Sequence, residues 1–330
     1  MSYLLKPLEN CKLKLNNRLV MPPMATSKSE QDGKVSKDIL DYYDEKSMGG
    51  YISLIIIEHS FITSKGKASE RQLSVADDSM VEELTKLASI IHKNGSKAVM
   101  QMNHAGSAAS KSVTGLDPVG PSSIANPCTS NVPKELTKEE IKDIILEFKD
   151  AARRVKEAGF DGVEIHSAHG YLLNQFFSPL TNKRTDEYGG DLFGRIKIHL
   201  DIIKVVRDVV GDDFPILLRL GATDNMEGGI TIEDSRIAAV AFEKAGVDLL
   251  DISGGFCRYS LPGNTSQGYF SPLSQAIKEV VSIPVLLTGG ITEVSAAEKL
   301  LSSGKADLIG VARAIYKDSK WAKEAIKSLK

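Results

Sequence analysis

The chain has 330 residues, with 41 Lys and Arg against 43 Asp and Glu, a net charge of −2. A balance this close to neutral offers no broad basic field, so neither nucleic acid nor an anionic membrane surface is expected as the main partner. Hydrophobic residues at 42% exclude a disordered chain, and three scattered cysteines (Cys11, Cys128, Cys257) exclude a disulfide framework or a paired CxxC metal site.

The start is broken by Lys6, Pro7, Glu9 and Lys12, so it lacks the apolar core of a signal peptide. No apolar run is long enough to cross a bilayer, and a reducing cytoplasmic setting is expected. Lys12–Leu15, Asn16-Asn17 and Arg18–Met24 read as an N-terminal β-hairpin, the last segment also being the first strand. Further apolar runs follow at Tyr51–Glu58, Lys97–Asn103, Gly162–Ser167, Pro215–Leu220, Leu249–Ser253, Pro284–Thr288 and Leu308–Val311. Most are continuously apolar, as strands covered on both faces are. Helical patterns separate them, at Ser36–Met48, Ser79–Asn94, Leu136–Ala158, Arg195–Val210, Ile232–Ala245, Ser271–Val281, Glu293–Ser303 and Lys320–Leu329. Thr137 and Glu140 form a capping box at the start of the third helix, and Gly159, Gly211, Gly246 and Gly304 suit helix ends.

Eight strands, each with a helix after it, predict a (β/α)8 TIM barrel, with residues 1–330 as one domain. An open doubly wound sheet is the alternative, but no GxGxxG comes after the first strand. Two connections are unusually long, Ala105–Glu135 after the third strand and His169–Gly194 after the fourth. Both leave strand C-terminal ends, where barrel active sites are built.

The candidate chemistry lies at those same strand ends. His166 and His169 lie three apart where an apolar run meets a glycine. They could be structural, could ligate a metal, or could grip a carbonyl or anionic oxygen; no third ligand stands nearby in the sequence. Tyr171 adds a phenol, a candidate proton donor or a packing aromatic. Thr288-Gly289-Gly290 and Gly310–Arg313 come after strands seven and eight, where barrels bind phosphate through glycine turns. Arg219 sits inside the apolar run Ile216–Leu220. It needs an anionic partner, either a structural salt bridge or a ligand that becomes negative during turnover.

The segments NRLVMPPMATS, QMNHAG and DGVEIHSAHGYLLNQFFSPLTNKRTDEYGGDLFGR, with the late glycine turns, resemble the old yellow enzyme family of FMN-dependent ene reductases. The chain is most similar to the shorter bacterial branch and to the flavin domain of 2,4-dienoyl-CoA reductases. The resemblance implies bound FMN and NAD(P)H as reductant. Pro22, Pro23, Met24 and Ala25 would line the flavin ring, Gln101 would meet its pyrimidine edge, and Arg219 would face N1 and O2. Ala312 and Arg313, with Gly289 and Gly290, would hold the phosphate. His166 and His169 would hold a substrate carbonyl oxygen, and Tyr171 would protonate the substrate carbon. The implied reaction is ping-pong reduction of the C=C bond of α,β-unsaturated carbonyl compounds.

Four departures from the family pattern stand out. Ala25 replaces the cysteine or threonine that relatives place beside flavin O4, and neighbouring Thr26 is expected to point away. His59 stands where the family often has a small residue against the flavin, as an extra donor or a rim histidine. Ser27 falls where the bacterial branch often has a substrate-contacting tyrosine, which should widen the pocket. No arginine follows Arg313, so a site shared between subunits does not carry over, although this branch implies a homo-oligomer, a dimer or tetramer. The competing functions are a barrel aldolase or isomerase acting on a phosphorylated metabolite, and a non-catalytic flavin-binding protein.

Overall fold

Eight parallel strands close into a barrel in the computed structural model, which describes residues 2–330. In chain order they are β1 (Leu19–Met21), β2 (Leu54–Phe61), β3 (Lys97–Asn103), β4 (Gly162–Ser167), β5 (Ile216–Gly221), β6 (Leu249–Ser253), β7 (Val285–Thr288) and β8 (Leu308–Gly310). β1 pairs with β8 and closes the ring. Helices Lys37–Ser47, Val81–Lys93, Lys138–Glu157, Leu192–Val210, Ile232–Ala245, Ser271–Lys278, Val294–Ser302 and Trp321–Ser328 alternate with the strands. The expected (β/α)8 barrel is the observed one. The Thr137–Glu140 capping box is formed, and a second, Thr231–Asp234, opens the helix after β5.

Two details differ from the sequence expectation. The N-terminal hairpin turns earlier: an antiparallel bridge joins Leu8 to Leu15, and Asn16-Asn17 leads directly into β1. Asn17 is committed to tertiary bonds, its backbone N–H donating to Ser53 Oγ at 2.7 Å and its side chain to Tyr51 O at 3.0 Å. Residues 51–53 thus serve as an anchor, and β2 starts at Leu54. Its far end runs on to Phe61 because Phe61 N–H donates to Leu73 O and its carbonyl accepts from Val75 N–H, a pairing distant in sequence.

Side-chain alternation along the strands sorts the molecule into layers. Outward residues such as Val163, Ile165, Leu218, Leu250 and Leu287 pack under the helices. Inward residues Val20, Leu54, Ile56, Val99, Leu217, Leu249, Leu286 and Leu308 form a separate apolar floor, plugged from below by Leu8, Leu13 and Leu15. Above that floor the inward positions turn polar: Gln101, Glu164, Arg219 and Asp251, then His166, Ser253 and Thr288. The N-terminal half of the barrel is core and the C-terminal half is site.

The two long connections are not free lids. The one after β3 carries a helix at Lys111–Thr114 and a small parallel ladder of Val119–Gly120 with Lys134–Glu135; the one after β4 carries a helix at Leu172–Phe177. Gln175 bonds both to Ser107 N–H and to Ala105 O at 3.0 Å, and Arg184 donates to Pro121 O and Leu136 O. Buried Asp224, beyond β5, accepts from Ser178 and from Phe256 N–H, joining the next two connections to the same roof. Among the described residues no helix is long and apolar enough to cross a membrane.

His199 illustrates the cost of this packing. It is fully buried, bonded to Ser167 Oγ at 2.7 Å and stacked on Phe242 at 5.3 Å. Burial pushes its ring down to about 3, and buried His104 falls to about 4. The folded values lie below the unfolded one, so the unfolded chain binds more protons in acid. This stability is complete above about pH 6.5 and is lost as pH falls, at about 1.4 kcal/mol per unit for each ring. The melting temperature should therefore drop steadily from pH 7 to pH 4. His199→Phe, which keeps the stack, should show a shallower drop; equal slopes would contradict the assignment.

Candidate active site

The C-terminal strand ends open onto a cavity of about 370 Å³. Its first wall comes from β1. Pro22 and Pro23 come directly after the strand, and prolines cannot donate to a ladder, so the chain peels away from the barrel. Pro22, Pro23, Met24 and Ala25 line the cavity. Thr26 is not on the cavity wall; its Oγ1 accepts from Lys28 N–H at 3.2 Å, and behind it lies the carboxyl of Glu58, which burial pushes up to about 7. Ser27 is not on the cavity wall; it takes a left-handed backbone, φ +55°, as the chain leaves.

A register shift in β2 places His59. Ile57 pairs with Met100 and Ser60 with Met102, so Glu58 and His59 together oppose Gln101. Such a bulge re-aims side chains. Glu58 goes into the wall, its N–H donating to Tyr43 Oη at 3.0 Å, while His59 and Gln101 line the cavity.

β4 supplies the histidine pair. His166 is inward on the strand, and His169 comes next in a left-handed conformation, φ +61°. The turn brings the two rings to 5.1 Å, edge to face, with Tyr171 also 5.1 Å from His166 and His59 5.6 Å from Tyr171. Ser253 Oγ lies 2.7 Å from His169 Nε2, and His166 Nδ1 is buried without a partner. Burial holds both rings well below the usual imidazole range, reinforced by their neighbours, including the Arg219 charge. They are neutral donors at neutral pH. Among the described residues no group of three or more His, Cys, Asp or Glu is arranged to hold a metal.

The cation comes from the next strand, where Arg219 is the register partner of His166, and the glycine turns follow further round. Arg219, on β5, lies 3.2 Å from Asp251 on β6, the structural salt bridge, and also lines the cavity. Two and three strands further round, Gly289 and Gly290 after β7 and Ala312 and Arg313 after β8 complete the wall. Thr288 Oγ1 is buried there without a partner. Gly310 is required beside it, since a Cβ would lie 2.0 Å from that oxygen.

A family model described as NADH:flavin oxidoreductase / NADH oxidase matches residues 3–330. The chain belongs to this family. It is 41% identical over 319 residues to an NADH oxidase of Thermoanaerobacter brockii, covering 95% of this chain and 49% of that one. It is 41% identical over 317 residues to an NADPH dehydrogenase of Listeria monocytogenes, covering 96% and 91%. The chain thus spans about half the length of the first relative and most of the second. Among solved structures it resembles 2-naphthoyl-CoA reductase in complex with 2-naphthoyl-CoA (TM-score 0.93, 28% identity, 99% of this chain and 52% of that one). It also resembles the old yellow enzyme homologue of Zymomonas mobilis (TM-score 0.86, 26% identity, 99% and 93%). The resemblance to old yellow enzymes drawn from the sequence is a true family relation.

Within this NADH:flavin oxidoreductase barrel, sequence reasoning missed part of the wall. Tyr259, Tyr269, Ile291 and Thr292 also line the cavity. Tyr259 approaches His169 to 6.1 Å, and Tyr269 donates to Tyr259 O. The signal was the stretch from Gly254 to Phe270, as long as a functional loop and rich in Gly and aromatic residues. Glu164 and Asp251 were missed as well. Each is a charge inside an apolar run, the same signal that singled out Arg219.

Proposed function

We propose that this chain is an FMN-dependent oxidoreductase that takes hydride from NAD(P)H and reduces the C=C bond of α,β-unsaturated carbonyl compounds. The two reactants use one site in turn. The observation that carries the reading is the neutral His166–His169 pair, with Tyr171 against it, on the same cavity as Arg219. Neutral imidazoles suit a carbonyl oxygen that gains negative charge, since they donate without first having to lose a counter-ion.

The residues present fit FMN. The apolar wall from Pro22 to Ala25 suits a flat ring, and Gln101 and Arg219 suit its polar edge. The orphaned Thr288 hydroxyl, the glycine turns and Arg313 suit a phosphate-bearing chain. FMN would supply the hydride carrier. The protein's own work is positional. Arg219 offers a positive charge to the ring edge. His166 and His169 hold the substrate oxygen and so orient the double bond, and Tyr171 delivers a proton to the carbon next to the carbonyl. The tight 2-naphthoyl-CoA reductase match makes conjugated thioesters reasonable members of the substrate class.

Purified protein should bind FMN, bleach anaerobically with NADH or NADPH, and recover its colour on adding a cyclic enone. Failure to bind FMN would end the reading in favour of an aldolase or isomerase. Binding without rapid, saturable bleaching would point to flavin storage.

Ala25 sets a second expectation. It cannot donate a hydrogen bond to the ring, and Thr26 is not on the cavity wall. Ala25→Cys should raise the midpoint potential by roughly 30–60 mV, the equivalent of a bond to a charged group of about 1.5–3 kcal/mol. Potentiometric titration of both proteins checks this, and an unchanged or lowered potential would contradict it.

A further inference from the structure

Directly beneath the cavity lies a charged layer that the proposed reaction does not use. Glu164 on β4 and Asp251 on β6 are fully buried, and Arg219 stands between them on β5. Arg219 and Asp251 are register partners, with Nε 3.2 Å from Oδ2. Glu164 is the register partner of Gln101 and accepts from its Nε2 at 2.6 Å. Beyond that the pair is bare: Glu164 Oε1 and both Asp251 oxygens have no hydrogen bond. The groups facing them from neighbouring strands are few. β3 presents neutral Gln101, β5 presents Arg219, and β4 presents neutral His166 one step above Glu164. The β7 partner of Asp251 is Leu286. Two carboxylates thus share one cation where water does not reach.

Both cannot be ionised there without a large penalty. Burial and the Asp251 charge push Glu164 well above the ordinary carboxylate range. Burial lifts Asp251 to about 6 against the opposing pull of Arg219. At neutral pH the layer therefore holds a protonated Glu164, an ionised Asp251 and Arg219, with no net charge. Arg219 is the one member that also lines the cavity. A ligand that becomes negative there competes with Asp251 for the same guanidinium.

We propose that Glu164 and Asp251 form a proton reservoir that holds one proton while the cofactor is oxidised and takes a second from solvent when it is reduced. The inference rests on the FMN reading. The balance is simple. NAD(P)H gives up a hydride, which carries two electrons and its own hydrogen, and leaves as NAD(P)+. Arg219 turns its charge toward the reduced ring edge. Asp251, deprived of its counter-ion, binds one proton from bulk water. When substrate takes the hydride, Arg219 returns to Asp251 and that proton is released. The second proton goes to Asp251, since Glu164 already holds the first. In the site, Glu164 and Asp251 are positioning residues: they touch Gln101 and Arg219, not substrate.

The test is proton uptake by the FMN-loaded protein, read with an indicator dye in weak buffer during anaerobic NADH bleaching near pH 7.5. Without the reservoir, hydride transfer consumes no bulk proton. With it, about one proton should disappear per flavin bleached. The midpoint potential should then fall with pH as two protons per two electrons, about 60 mV per unit. One proton would give about 30 mV. Asp251→Asn should abolish the uptake and restore the shallower slope. Glu164→Gln replaces a protonated carboxyl by an amide of the same shape and should keep the uptake. Should Asp251→Asn not fold, reduced-minus-oxidised infrared spectra of the wild type decide, because a protonated carboxyl band must appear on reduction. Bleaching without proton uptake, or uptake undiminished in Asp251→Asn, overturns the reservoir and leaves the FMN reading intact. Protein that does not bind FMN or does not bleach overturns both.

Discussion

Tyr171→Phe is expected to slow enone reduction by about 10²–10⁴-fold while leaving reduction of the flavin by NAD(P)H at its wild-type rate. The reason lies in how the phenol is held. Tyr171 is the N-cap residue of the helix Leu172–Phe177, and its N–H donates to Ala168 O at 3.2 Å. The turn before it contains the left-handed His169, so ring and histidine pair are set by one piece of backbone. Burial pushes the phenol above its ordinary value, with the Arg258 charge opposing. The group is therefore protonated throughout the neutral range and can serve as an acid, and only at higher pH should turnover fall as it ionises. Phenylalanine keeps the edge-on contact with His166 and removes only the hydroxyl. Stopped-flow measurement of the two half-reactions separates the effects. Unchanged reoxidation by enone would show that the proton comes from elsewhere, with His59, 5.6 Å away, the next group to test.

Arg219→Met should cost about 3–5 kcal/mol of folding stability at pH 8, the usual result of stranding one member of a buried ion pair. Asp251 is fully buried and would lose its only cation within reach. It would then have to be protonated in the folded protein while ionised in the unfolded chain. A carboxyl raised in the folded state loses stability as pH rises from its unfolded value, about 4, toward the folded one. The gap between mutant and wild type should therefore narrow from pH 8 to pH 5. Arg219→Met with Asp251→Asn should recover most of the loss, because neither charge is then left alone. Denaturant unfolding of the four proteins completes the cycle. An additive double mutant would mean that the 3.2 Å contact contributes nothing.

The site was legible in the sequence wherever chemistry and position coincided. His166 and Arg219 stood out because polar residues inside apolar strand runs have few purely structural uses, and His169 because it comes three residues on, beside a glycine. The same logic extends to Glu164 and Asp251, which are also charges inside apolar runs, but what they do depends on the arginine that the barrel sets between them. His59 was legible as a residue but not in its placement: only the bulge opposite Gln101 turns it into the cavity. Ser27 fails for a similar reason. The resemblance placed it beside the substrate, whereas the backbone turns left-handed at that residue and leaves the wall. Tyr259 and Tyr269 sit on a loop without periodicity, where only the folded path decides what it covers.

The sequence by itself determined the barrel, its strand order and most element bounds. These rest on local physics: apolar runs, capping residues and the alternation of strand and helix. It also determined the family, through the long run from Asp161 to Arg195. Tertiary structure alone decided the rest. It moved the N-terminal turn to the Leu8–Leu15 bridge, because Asn17 bonds to Ser53 and Tyr51. It tied the long connections into one roof through Gln175, Arg184 and Asp224. It also set Glu164 and Asp251 around a single arginine, because strands adjacent in the sheet lie some 30–50 residues apart in the chain. Charges separated in sequence become costly to one another, and so consequential, only when the barrel closes and removes water from between them.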